Sequence, residues 1–144
     1  SLQAMTSPDE VKGPNGLAFS PDESMLYVVD TSAPEDSSPD RLIHLFDVEE
    51  GGLKLTGRRD FHRVNNGNAD GIRVDAIGNV WSSAGNGVHC IAPDGTLLGR
   101  IATPRLVGNL CFGGLHGNRL FLCSWDTMYS IHVNTSGVQH PALS

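Results

Sequence analysis

Two short motifs carry the side chains best suited to chemistry in this sequence. Pro14-Asn15-Gly16 and Ala69-Asp70-Gly71 each precede an apolar stretch, Leu17-Ala18-Phe19 and Ile72-Arg73-Val74. Aligned on the first apolar residue, Asn15 and Asp70 are equivalent, so a repeating fold sets an amide oxygen beside a carboxylate. Oxygen donors of this kind suit a hard divalent cation, which prefers oxygen to sulfur. Asn-Gly and Asp-Gly are also ordinary turn dipeptides, and each motif by itself equally describes the start of a strand. The third lead-in is Val107-Gly108-Asn109, in which Asn109 directly precedes the apolar Leu110.

The elements that must position these residues repeat three times. The first copy runs from Gly16 through Met25-Leu26-Tyr27-Val28-Val29-Asp30 to Leu42-Ile43-His44-Leu45-Phe46-Asp47. The second runs from Gly71 through Gly78-Asn79-Val80-Trp81-Ser82-Ser83 to Gly87-Val88-His89-Cys90-Ile91. The third runs from Asn109 through Arg119-Leu120-Phe121-Leu122-Cys123 to Met128-Tyr129-Ser130-Ile131-His132-Val133. A fourth strand is expected near residues 53–59 and 96–101, with a weaker one near 137–140. Turn residues fall between the strands, at Ser20-Pro21-Asp22-Glu23, Asp75-Ala76-Ile77-Gly78, Pro93-Asp94-Gly95 and His116-Gly117-Asn118. Nowhere do apolar residues keep a 3.6 period over three turns, so no helix is expected. Four-stranded repeats of roughly 40–45 residues are the signature of propeller blades. The expected fold is therefore all-β, about three four-stranded blades, half of a six-bladed β-propeller. Residues 1–12 form an atypical N-terminal segment and residues 13–144 the half-propeller. A sandwich of about twelve strands competes, but it leaves the repetition unexplained.

Composition narrows the function. Formal charge is −6, charged residues are only 18%, and glycine reaches 17 of 144 residues, a profile of short strands and tight turns. The basic residues are scattered apart from Arg58, Arg59 and Arg63, which lie beside Asp60 and His62, so no stripe for nucleic acid exists. No apolar run approaches the roughly 20 residues of a membrane span, which excludes a membrane partner of that kind. No charged region followed by an apolar stretch opens the chain, and the cytoplasm is the compartment expected on that ground. Cys90, Cys111 and Cys123 lack zinc spacing and sit among apolar neighbours, as buried thiols do. His44, His89 and His132 fall on the third strand of each repeat and are expected on blade surfaces. Ser82 and Ser83 lack a Gly-x-Ser-x-Gly elbow, and residues 65–68 read as a connecting loop, not a phosphate cradle.

Taken in order, these strings resemble the SMP-30/gluconolactonase/luciferin-regenerating-enzyme-like family. The likeness rests on Gly13-Pro14-Asn15-Gly16-Leu17-Ala18-Phe19-Ser20-Pro21-Asp22, Leu26-Tyr27-Val28-Val29-Asp30 and Asp70-Gly71-Ile72-Arg73-Val74-Asp75. It continues through Gly78-Asn79-Val80-Trp81, Pro93-Asp94-Gly95 and Asn109-Leu110-Cys111-Phe112-Gly113-Gly114. The resemblance implies the C-terminal half of a six-bladed propeller that hydrolyses lactones with one divalent metal ion. Calcium is expected first, with zinc, magnesium or manganese as alternatives. It implies that Asn15 and Asp70 are metal ligands and that Asp70 also serves catalysis by orienting or deprotonating water. The family's early Glu ligand and its substrate-binding Arg and Asn have no counterpart in this stretch, and Glu10 lies outside any strand lead-in. Residues 1–12 also depart from the family pattern.

Three blades do not close a ring. The chain is therefore expected either to be a fragment of a longer propeller or to be completed by a partner. The expected partners are a small lactone and either a second copy or a complementing half-propeller. The loops joining second to third strands, 31–40, 84–86 and 124–126, should rim the channel mouth. Asn109, Trp125 and Asp126 are the expected substrate-rim residues, Trp125 either as a stacking surface for a ring substrate or as a contact to the missing half. The first loop is either a lid or a surface insertion. The alternatives are a non-catalytic half-propeller that binds or assembles, and an esterase of the phosphodiesterase or paraoxonase kind.

Overall fold

The first hairpin of each of the first two repeats is closed by side chains adjacent in sequence. Between the first two strands the Asp22 Oδ1 accepts hydrogen bonds from Ser20 Oγ (2.7 Å), Ser24 Oγ (2.8 Å) and the Ser24 amide (3.1 Å). These bonds hold the Asp22 carboxyl at a pKa of about 2. In the second repeat Asp75 is buried and saturated. It accepts from the amides of Ile77 and Asn79, from Asn79 Nδ2 and from Trp81 Nε1, at 2.8–3.1 Å. The third repeat turns instead on Gly114 and Gly117, at φ 84° and 64°.

The computed structural model describes residues 1–32, 41–64 and 67–138. Its strands are β1 (Pro14–Phe19), β2 (Met25–Asp30), β3 (Arg41–Glu49), β4 (Lys54–Val64), β5 (Ile72–Val74) and β6 (Val80–Ala84). They continue as β7 (Gly87–Ile91), β8 (Leu97–Ala102), β9 (Asn109–Gly113), β10 (Arg119–Ser124) and β11 (Thr127–His132). They form three antiparallel meanders, β1-β2-β3-β4, β5-β6-β7-β8 and β9-β10-β11. A single 3₁₀ turn at Glu50–Gly52 is the one helical element among the described residues.

The sheets pack face to face. Tyr27, Val29, Ile43 and Leu45 of the first meet Ile72, Val74, Val80 and Ile91 of the second. Trp81 and Val88 meet Leu110, Leu120 and Leu122 of the third. Period-2 alternation puts Leu26, Val28 and Phe46 on the far face of the first sheet, where Val11 from the N-terminal segment covers them. The innermost strands lie side by side, β1 against β5 and β5 against β9. That arrangement is an arc of propeller blades and not a two-layer sandwich.

Three expectations need correction. No fourth strand forms on the third sheet among the described residues. The chain instead runs back beneath the inner strands, where Gly137 bridges Asp75 and the Val138 amide reaches the Val74 carbonyl at 3.4 Å. Residues 139 and 140 lie outside the described residues. Cys111 and Cys123 are exposed and Cys90 is half-buried, because the two outer cysteines sit on the one face of the third sheet that no sheet covers. His44 and His89 do lie on third strands but are buried, each 2% exposed.

Candidate functional site

The lead-ins to the inner strands are held in close register by glycine. A Cβ on Gly16 would strike the Asp70 carbonyl oxygen, and one on Gly71 would lie 2.6 Å from Asn109 Cα and 2.5 Å from its Oδ1. The Gly71 amide donates to the Gly108 carbonyl at 2.9 Å. Thus the three motifs around Asn15, Asp70 and Asn109 sit shoulder to shoulder at one end of the inner strands. Both glycines are required by backbone approach, with no positive φ at either.

Asn15 lies on a bulge. Pro14 pairs with Asp30 and Leu17 with Val28, so β1 spends one residue more than β2 between these pairs. Bulges of this kind re-aim a side chain at a strand end. Asn15 is exposed and Asp70 half-buried. Asn109 Oδ1 accepts from the Leu110 amide at 2.9 Å, which turns its carbonyl oxygen back onto its own strand.

Each lead-in is fastened by a buried polar side chain on the second strand of its sheet. Asp30 accepts hydrogen bonds from the amides of Lys12 and Gly13 (3.0 Å each) and Ser32 (2.9 Å). Burial pushes its carboxyl up, and the bonds from Ser32, Lys12 and Gly13 outweigh that and bring it down to about 2. Ser83 Oγ accepts from the Asp70 amide at 2.9 Å. Ser124 Oγ donates to the Arg105 carbonyl at 3.1 Å. Sequence reading missed these three, although each is a polar residue at or next to the end of a largely apolar strand. The other side of Asp30 faces His44, whose Nε2 is 3.5 Å from Asp30 Oδ2 and whose Nδ1 is 3.2 Å from Asp60 Oδ1.

An open cleft of about 550 Å³ lies at this mouth, lined by Asp70, Asn109 and Trp125 together with Asn68, Leu106 and Cys123. Three of the five expected site residues therefore share one cleft. Asn15 and Asp126 lie outside its lining. Asp126 instead accepts from Thr127 Oγ1 at 3.0 Å and stands 3.9 Å from Arg105 Nη1. The expected rim loop 31–40 falls outside the described residues from 33 onward. Among the described residues no three His, Cys, Asp or Glu side chains come together as a metal site. Calcium takes about six to eight oxygens, so Asn15 and Asp70 fit a hard cation in kind and make up only part of its donor set.

Residues 2–126 match the family model of the SMP-30/gluconolactonase/LRE-like region. The chain belongs to this family. A lactonohydrolase of Aspergillus oryzae is 32% identical over 94% of the chain and 32% of its own length. A gluconolactonase of Zymomonas mobilis is 35% identical over 86% of the chain and 36% of its own length. A gluconolactonase structure from Xanthomonas campestris aligns with TM-score 0.73 and 39% identity, covering 83% of this chain and 37% of that one. The structure of a calcium-binding protein, regucalcin, from Agrobacterium tumefaciens aligns with TM-score 0.66 and 26% identity, over 78% and 38%. The chain spans about a third of the length of the curated relatives it matches. Its three sheets correspond to part of the family's six-bladed propeller.

Proposed function

We propose that this chain carries part of the catalytic mouth of a metal-dependent hydrolase acting on a sugar-type lactone. The packing of the Asn15 and Asp70 lead-ins against each other, Gly16 on the Asp70 carbonyl, is the observation that carries the reading. Lactonohydrolase and gluconolactonase relatives support the reaction class, and the calcium-binding regucalcin supports calcium as the first metal to test. When bound, a divalent cation supplies a Lewis acid for the ester carbonyl. Asn15 would hold it with a neutral oxygen, which keeps the net charge of the site low. Asp70 would hold it with one carboxylate oxygen and orient or deprotonate the attacking water with the other. Asn109 and Trp125 border the same cleft and would contact the substrate, with Asp126 at its rim. The rest of the mouth would come from the half of the ring that these residues do not supply, whether a further segment, a second copy or a complementing half-propeller provides it.

The uncovered outer face of the third sheet favours a second reading, a non-catalytic half-propeller whose role is assembly. One experiment separates the two. The mass of the purified chain is measured by size-exclusion with light scattering, and D-glucono-1,5-lactone hydrolysis is followed with added calcium, zinc, magnesium or manganese. The lactonase reading expects metal-stimulated hydrolysis in the closed assembly, falling about 100-fold or more in Asp70→Ala. A verified dimer without metal-stimulated activity establishes the assembly module instead, and a stable, well-folded monomer rules out closure by a second copy.

A further inference from the structure

Trp125 is held in a conformation that its side chain disfavours. It is the first residue of the two-residue turn between β10 and β11, closed by the Ser124–Thr127 pair, and its φ is 55°. Tight hairpins place Gly, Asn or Asp at such a position, and a bulky residue there is an outlier. The corresponding turn of the second sheet, between Ala84 and Gly87, is Gly85-Asn86. Packing among the described residues does not explain the tryptophan, because Trp125 is 79% exposed there while the other tryptophan, Trp81, is 8% exposed and hydrogen-bonded to Asp75. Strain kept at an exposed residue is a pointer to function.

The tryptophan borders the cleft that holds Asp70. Leu106, 52% exposed, borders it too, so the cleft combines an indole and an isobutyl group with the oxygen-bearing Asn68, Asp70 and Asn109. An indole offers a flat apolar face that a ring can cover with little loss of conformational freedom. We infer that Trp125 is the specificity-determining residue of this site and that it selects a cyclic ester with one nonpolar face. The inference rests on the lactonase reading and specifies its ring, a lactone with a face that can stack on the indole. The left-handed backbone at Trp125 adds to the cost of carrying an indole at the mouth.

The test uses the full chain in the assembly state that binds lactone. Calorimetric affinities for dihydrocoumarin and for D-glucono-1,5-lactone are measured for the unsubstituted chain, Trp125→Phe, Trp125→Gly and Asp70→Asn. Stacking contributions of the usual size predict dihydrocoumarin binding about tenfold weaker in Trp125→Gly and nearly retained in Trp125→Phe. Gluconolactone, a saturated ring with no aromatic face, loses less. The melting temperature of Trp125→Gly rises by about 3 °C as the left-handed strain is relieved. Affinity lost in Asp70→Asn but kept in Trp125→Gly overturns the inference and leaves the lactonase reading standing. Affinity unchanged in both overturns the two together. A lower melting temperature, or a smaller assembly mass for Trp125→Gly, overturns it as well, because the indole is then a structural contact.

Discussion

Asp30 and Ser83 are the residues whose removal separates positioning from ligation. Ser83 Oγ touches only the backbone amide of Asp70 among the site residues, so Ser83→Ala leaves every proposed ligand in place and frees the segment that aims one of them. Outer-shell partners of metal ligands typically control about 10- to 100-fold in affinity. Calcium binding to Ser83→Ala should weaken within that range, Ser83→Thr should restore most of it, and terbium luminescence titration reads both. Asp30 makes a pH prediction. Its folded pKa is about 2, below the roughly 3.9 of an unfolded aspartate, so its contribution is fully present above about pH 4 and disappears as pH falls towards 2. The contribution is about 2 kcal/mol. Asp30→Asn should lower stability at pH 7 and flatten the stability curve between pH 4 and 2, as urea unfolding across that interval will show.

At the scale of elements, glycine at the blade junctions is what brings the lead-ins together. Gly16→Ala drives a methyl group into the Asp70 carbonyl, an overpacking of backbone against backbone that should cost about 1–3 kcal/mol in urea unfolding. Gly99→Ala in β8 meets nothing within 4 Å and should be neutral or slightly stabilising. The strands were legible in the sequence because period-2 alternation and turn residues act locally. Pro14-Asn15-Gly16 and Ala69-Asp70-Gly71 were legible as equivalents because repeats keep equivalent positions. The bulge at Asn15 was not, since it depends on how β1 pairs with β2 across ten or more residues. The path of Gly137 and Val138 beneath β5 was hidden for the same reason, being fixed by Gly117, Val74 and Asp75 from two sheets. Apolar neighbours misled the reading of Cys111 and Cys123, because burial depends on a covering sheet that local sequence does not describe. The fastenings at Asp30, Ser83 and Ser124 left a visible trace, a polar side chain at or next to the end of each second strand. Their partners only became evident in three dimensions.

The whole molecule is unequal in its cover. Both faces of the second sheet are buried, the outer face of the first is lined by Val11, and the outer face of the third is bare. Cross-strand pairs share a face, so the pairings Cys111–Phe121 and Cys123–Met128 place all four side chains on that bare surface. Met128 is 70% exposed and makes a sensitive probe. In an isolated arc Met128→Lys alters a solvated position, and such changes stay within about 0.5 kcal/mol. In a closed ring the same ammonium group must leave water and face another blade without a partner, which costs several kcal/mol. Thermal unfolding of the dissociated chain should therefore be unchanged by Met128→Lys, while light scattering shows the assembly reduced to single chains. Leu98→Lys is the matched control, since Leu98 is 57% exposed on β8, the outermost strand of the second sheet. A ring closed through the bare face keeps its mass in that control and loses it in Met128→Lys. An assembly that survives both substitutions is held by some other surface than this face of the third sheet.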